Sequence, residues 1–205
     1  MRFQSSIVAL VALAGFSFAQ DVSVADVKAA FDTARIPTSL NLAFEPTALL
    51  TVSFPQPNGT PVVLTTGARI PRASTAGPPQ YKVNGTTTSG PFVIAMVDLD
   101  APTPQSPTWS PIRHYLGGGW SANNAADPGV LTTTTAAVTA WFQPSPSGTD
   151  PHRYVFLLFN QSPEFVTQRQ VTAQTSIVSW NLATFAQQVA LGSPIAGTFM
   201  LVSAQ

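Results

Sequence analysis

Pro91-Phe92-Val93-Ile94-Ala95-Met96-Val97-Asp98-Leu99-Asp100-Ala101-Pro102 is the stretch on which the fold turns. Phe92 to Leu99 is rich in β-branched and other large apolar residues and is bracketed by prolines, which predicts a strand. In a strand, side chains two apart share a face, so Asp98 and Asp100 point the same way if the strand extends that far, as a paired acidic edge. The plainer alternative is a turn before Ala101-Pro102, since Asp accepts hydrogen bonds from backbone amides that follow it.

Working outward, similar apolar runs separated by Pro, Gly and Asn predict strands over Ala48 to Phe54, Pro61 to Thr65, His114 to Gly117, Thr139 to Phe142, Tyr154 to Phe159 and Thr198 to Val202. Two helices flank them. Val24, Val27, Ala30, Phe31 and Ala34 recur at helical spacing behind a Ser23/Asp26 capping box, up to Pro37. Trp180, Leu182, Phe185, Val189 and Leu191 do the same behind a Ser179 cap, closed by Gly192. The polar stretches Arg72 to Thr88 and Ser121 to Thr135 read as loops. The class is mostly β with peripheral helices, and no fixed-period repeat or linker divides it.

At the amino end, Met1-Arg2 precedes an apolar run from Ile7 to Phe18 and the small residues Ser17 and Ala19, the pattern of a secretory signal peptide over 1–19. The expected mature chain, 20–205, is one secreted, extracellular domain. No later apolar run approaches the roughly 20 residues that span a bilayer. With no cysteine, packing alone must hold the fold, and thiolate chemistry is excluded. Nine basic side chains balance nine acidic ones, and losing Arg2 leaves about −1 with no block of like charge. Nucleic acid is therefore a poor partner. Asn58, Asn84 and Asn160 open glycosylation sequons; proline follows the first and third, which makes Asn84 the best acceptor.

Only two histidines occur, His114 in Ile112-Arg113-His114-Tyr115-Leu116 and His152 in His152-Arg153-Tyr154-Val155-Phe156. If strand ends gather at one end of a sheet, both imidazoles approach the aspartates. Strand parity turns Arg113 and Arg153 away from their neighbouring histidines, leaving Arg153 for a surface or structural ion pair. Tyr115, alternating with His114, packs on a sheet face. Trp109, Trp120, Trp141 and Trp180 read as core or rim packing.

Val97-Asp98-Leu99-Asp100-Ala101-Pro102, followed by His114, resembles the Asp-Pro-Asp-Ala-Pro signature and first pocket histidine of the phosphatidylethanolamine-binding protein family, the group that includes carboxypeptidase Y inhibitor and Raf kinase inhibitor protein. His152-Arg153-Tyr154 followed by an apolar strand resembles the family's second signature. The resemblance implies a large central antiparallel sheet, a smaller sheet packed on it and a few outer helices. It implies an anion pocket lined by Asp98, His114, His152 and Tyr154, with Asp100 at its rim, Pro102 shaping the turn, and Pro144 and Pro146 in the 143–148 wall. Imidazole and phenol donors suit phosphate oxygens. Two departures stand out. Leu99 replaces a proline and restores a backbone N–H, and Ile112-Arg113 replaces an aromatic approach, predicting a more basic mouth. Ser110-Pro111 falls where the family carries a cis bond.

The leading expectation is a non-enzymatic, cofactor-free binding protein for a small anion or phospholipid headgroup such as phosphoethanolamine. A second class is inhibition of a protease, such as a serine carboxypeptidase, through surface loops. A third is a metal-dependent hydrolase using Asp98, Asp100, His114 and His152 as mixed O/N ligands. A serine hydrolase lacks a Gly-x-Ser-x-Gly elbow.

Overall fold

The computed structural model describes Asp21 and residues 23–204; the expected leader lies outside the described residues. Helix α1 (Val24–Thr33) starts where Ser23 Oγ accepts from the Ala25 and Asp26 amides, and it buries Val27 and Phe31. Arg35 then adopts a left-handed conformation (φ 54°), and α2 (Ile36–Leu40) begins, with Pro37 in its first turn. The first helix thus ends at Thr33, before Pro37 is reached, and Pro37 instead stands in the opening turn of a second helix, where an amide has no intrahelical acceptor to lose.

Eight strands follow: β1 (Leu49–Phe54), β2 (Val62–Val63), β3 (Ala68–Arg69), β4 (Gln80–Asn84), β5 (Phe92–Asp98), β6 (Ile112–Trp120), β7 (His152–Asn160) and β8 (Ala196–Val202). They form a three-stranded sheet, β2-β1-β4, and a five-stranded sheet, β3-β8-β7-β5-β6, antiparallel except for the short β3–β8 pair. This is the architecture the family resemblance implied.

All seven residues of β5 are buried. Val93, Ala95 and Val97 face a core closed by α1, α2 and α4 (Leu182–Gln188); Phe92, Ile94 and Met96 face a second core shared with β1 and β4. A strand covered on both faces has no polar side, which is why its sequence runs apolar without alternation. β7 repeats the arrangement with Val155, Leu157 and Phe159 on one face and Tyr154, Phe156 and Leu158 on the other. Phe31 stacks on Phe44 at 4.0 Å between centroids and meets Phe199 edge-on, joining α1 to β8.

Several sequence expectations are corrected. The presumed loop over 72–88 contains a 3₁₀ turn, Arg72–Thr75, and β4, whose Tyr81 and Val83 are buried against the second core. Thr139 to Phe142 is not a strand, although it runs along the edge of β6: Leu116 and Thr139 form a bridge and the Phe142 amide donates to His114 O at 3.0 Å. β6 extends at both ends of the expected His114 to Gly117. Asn181, not Ser179, caps α4, by accepting from the Thr184 amide at 2.9 Å. Helix α3 (Pro163–Thr167), capped by Ser162, was not anticipated. Of the sequons, Asn58 and Asn160 are exposed, whereas Asn84 is half-buried and pairs with Leu49. No helix among the described residues is long and apolar enough to cross a membrane.

Candidate functional site

β5, β6 and β7 bring one end of each to a common cavity of about 310 Å³. Asp98 is the last residue of β5. Its Oδ1 accepts from the Asp100 amide at 2.8 Å and its Oδ2 from His152 Nδ1 at 2.9 Å. The same carboxylate thus organises the turn, the plainer of the two alternatives left open by spacing, and also orients an imidazole; the paired acidic edge does not form. Tyr154 pairs with Asp98 across β5 and β7, which sets its phenol beside that carboxylate.

Asp100 does not share the cavity. β5 ends at Asp98, so strand parity fails at the next step, and both oxygens of Asp100 turn to Arg153. Oδ2 accepts from the Arg153 amide at 2.7 Å and from Nε at 2.9 Å, and Oδ1 accepts from Nη2 at 2.6 Å. Arg153 Nη1 donates to Ala34 O at 2.6 Å, so this pair ties α1 to the sheet. The Leu99 amide restored by the missing proline donates to Arg153 O at 3.0 Å, and the Leu99 side chain is buried in the helix-side core. Neither change reaches the pocket floor.

His114 arrives by a route no periodicity shows. Tyr115 pairs with Met96 and Arg113 with Val97, leaving His114 as the extra residue of a β-bulge. The bulge lets His114 and Tyr115 face the same side, correcting the expectation that they alternate. His114 packs edge-on against Tyr154 and stacks on Phe142, each at 5.1 Å, while Tyr115 lies in the inter-sheet core beside Tyr81. His114 Nδ1 donates to Phe142 O at 2.8 Å.

The rim is Ala101, Pro102, Trp109, Ile112, Phe142, Ser145, Pro146 and Ser147. Pro144 is not part of the lining; its carbonyl accepts from Arg72 Nε at 3.2 Å, and Arg72 Nη2 donates to Ser145 Oγ at 2.9 Å. Arg72 therefore fixes the wall from behind, a role with no sequence signal, since it lies about 70 residues from the loop. Ser147 Oγ closes the wall onto Pro102 O at 3.1 Å. The mouth is aromatic rather than basic: Trp109 is 55% and Phe142 50% exposed, whereas Arg113 is fully buried on the opposite face. There it stacks on Trp180 at 5.0 Å and donates to Thr139, Thr175 and Ser176. Trp120 and Trp141 pack against Tyr81 and Phe156. Ser110–Pro111 is cis, as are Ala101–Pro102 and Gly90–Pro91.

Burial lowers the His114 pKa below its ordinary 6.5, partly opposed by its bond to Phe142 O and the charge of Asp98. Burial, then the Asp98 charge and hydrogen bond, pushes Tyr154 far up, so its hydroxyl keeps its proton. His152 Nε2 is buried with no protein partner. A buried polar atom left without a partner in a cavity lined by Asp98, His114, Tyr154, Ser145 and Ser147 marks a place where a ligand or water completes the hydrogen bonding. A wider concavity of about 680 Å³ beside the β1–β2 turn has no buried lining residue. Among the described residues no three His, Cys, Asp or Glu side chains come together as metal ligands, and Asp100 is committed to Arg153, so the ligand set drawn for a hydrolase does not assemble.

Two packed sheets of this topology, with a histidine-carboxylate cavity at the strand ends, define a binding-protein architecture. The model of the phosphatidylethanolamine-binding protein family matches residues 60–200, and the chain belongs to that family. Among curated proteins it is similar to TERMINAL FLOWER 1 of Arabidopsis thaliana, 27% identical over 157 residues, covering 76% of this chain and 80% of that one. It also resembles CEN-like protein 4 of Nicotiana tabacum, 28% identical over 127 residues, covering 62% and 67%. Among solved structures its fold is similar to carboxypeptidase Y inhibitor complexed with the cognate proteinase (TM-score 0.71, 18% identity, 88% and 96% covered). A phosphatidylethanolamine-binding protein from Plasmodium vivax is similar too (TM-score 0.67, 15% identity, 86% and 97% covered).

Proposed function

We propose that this chain is a secreted, non-catalytic binding protein whose cavity takes a small anion or the phosphate of a headgroup such as phosphoethanolamine. The observation that carries this reading is the convergence of two buried imidazoles and a phenol on one cavity, with His152 Nε2 buried and lacking a protein partner. The small volume and charge-free rim suit a compact group rather than a long polar chain. Family membership supports binding over catalysis. The leader-like segment over 1–19 supports export, and the exposed sequons at Asn58 and Asn160 join Asn84 as candidate glycan sites.

Protein-observed NMR titration with phosphoethanolamine, phosphate and acetate tests the reading. Saturable shifts are expected around His114, His152 and Tyr154, and their loss in a folded His114→Ala/His152→Ala variant. Shifts that persist in that variant would move the site elsewhere.

A second reading, inhibition of a serine carboxypeptidase through surface loops, is favoured by the fold shared with carboxypeptidase Y inhibitor. A panel of carboxypeptidases assayed with the purified protein distinguishes it. Inhibition that survives loss of both histidines would assign that activity to the loops.

A further inference from the structure

The two imidazoles are held in the same sense. Phe142 O can only accept, so the proton of a neutral His114 sits on Nδ1; Asp98 likewise receives Nδ1–H of His152. In the tautomers these bonds select, each ring keeps a bare lone pair on Nε2, away from its anchoring bond. A cavity furnished with lone pairs repels an oxyanion, which brings only lone pairs of its own.

Among the described residues no lysine or arginine lines the cavity to offset this. From β5 the site receives Asp98, and from β7 His152 and the protonated Tyr154, which lies opposite Asp98. Arg153 lies on the other side of β7, paired with Asp100; Arg113 lies on the other side of β6, against Trp180. Arg72 sits behind the Pro144–Ser145 wall. Asp150, before β7, is exposed and bonded by Gln105. The segments over 101–111 and 142–148 contain no ionisable side chain.

We infer that the cavity accepts an anion only together with one proton, carried either on an Nε2 atom or by the anion itself. Its ligands are then monoprotonated anions, such as a phosphomonoester monoanion, or dianions whose arrival protonates an imidazole. The added proton converts one lone pair into a donor and supplies the missing positive charge beside Asp98. Burial of His114 makes that proton costly without an anion, so the two bind as a unit. The inference rests on the anion reading above and specifies the form in which the anion is bound.

Sulfate tests it, because sulfate stays a dianion across the neutral range and any proton taken up must go to the protein. Calorimetric titration in two buffers of different ionisation enthalpy should give about one proton absorbed per sulfate, with Kd weakening about tenfold per pH unit above neutrality. Inorganic phosphate should show the same slope once its monoanion becomes the minor species. Long-range proton–nitrogen spectra of the free protein near about pH 7.5 should show both rings protonated at Nδ1. Sulfate binding with no proton uptake and equal Kd at about pH 6 and about pH 8 would overturn the inference while leaving the anion site intact. A free-protein ring protonated at Nε2 would remove its geometric basis. No binding of either anion across that range would reject the anion site and the inference with it.

Discussion

Asp98 and Asp100 are two residues apart and do opposite work. Asp98 faces the cavity; Asp100, 3% exposed, serves Arg153 alone. Removing one partner of a buried pair strands the other's charge, so Asp100→Ala should lower the unfolding free energy by about 3 kcal/mol in urea denaturation. The variant should keep its response to phosphate where folded, since Asp100 touches no cavity atom. Arg113 differs again: fully buried without a carboxylate, it is satisfied by a hydroxyl, two carbonyls and the face of Trp180. Lysine cannot span that fork, and Arg113→Lys should cost about 1–3 kcal/mol, read as a lower denaturation midpoint. From sequence, the site residues were legible through the two family signatures they resemble; spacing alone offered only an Asp-x-Asp turn and two histidines beside apolar strands. The division of labour between the aspartates was not, because it depends on where β5 stops.

At the scale of elements, β5 was legible because burial on both faces leaves an uninterrupted apolar run. β4 was not: Gln80-Tyr81-Lys82-Val83-Asn84 buries only two side chains and sits in a polar context, so its strand character comes from pairing with β1. The β6 bulge was equally hidden, since register is a property of two strands. β6 carries a second constraint in Gly117-Gly118-Gly119. A Cβ on Gly117 would overlap the Tyr115 phenol, and one on Gly118 would overlap the Phe165 ring and Gln161 Oε1. Gly117→Ala should therefore destabilise the protein by about 1–3 kcal/mol, measured as a drop in Tm, because backbone and phenol cannot both move aside.

For the whole molecule, the absence of cysteine leaves stability to the two cores, and one buried histidine makes it sensitive to acid. His114 has a folded-state pKa below 6.5, while the unfolded chain titrates near that value. Between the two the unfolded state holds more protons, so stability is fully present above about 6.5 and is lost as pH falls from there toward the folded-state pKa. Thermal melts should show a Tm that is flat above neutrality and declines below it, with a shallower decline in His114→Phe. Added phosphate should recover part of the loss in the wild type, since a ligand that binds the native state stabilises it. Recovery undiminished in a His114→Phe/His152→Phe double variant would argue against the cavity as its source.

Apart from Ile112 at the start of β6, the cavity's floor and its rim belong to different kinds of structure. Asp98, His114, His152 and Tyr154 stand on strands of the central sheet, while Ala101 to Trp109 and Phe142 to Ser147 are loop, stapled from outside by Arg72. The two can therefore be re-engineered separately. Exchanging the 142–148 segment, with the Arg72 contact retained, changes what size and polarity of group is admitted without disturbing the registers that hold the imidazoles. This scaffold thus lends itself to selecting new ligands from loop libraries over an unaltered proton-handling floor.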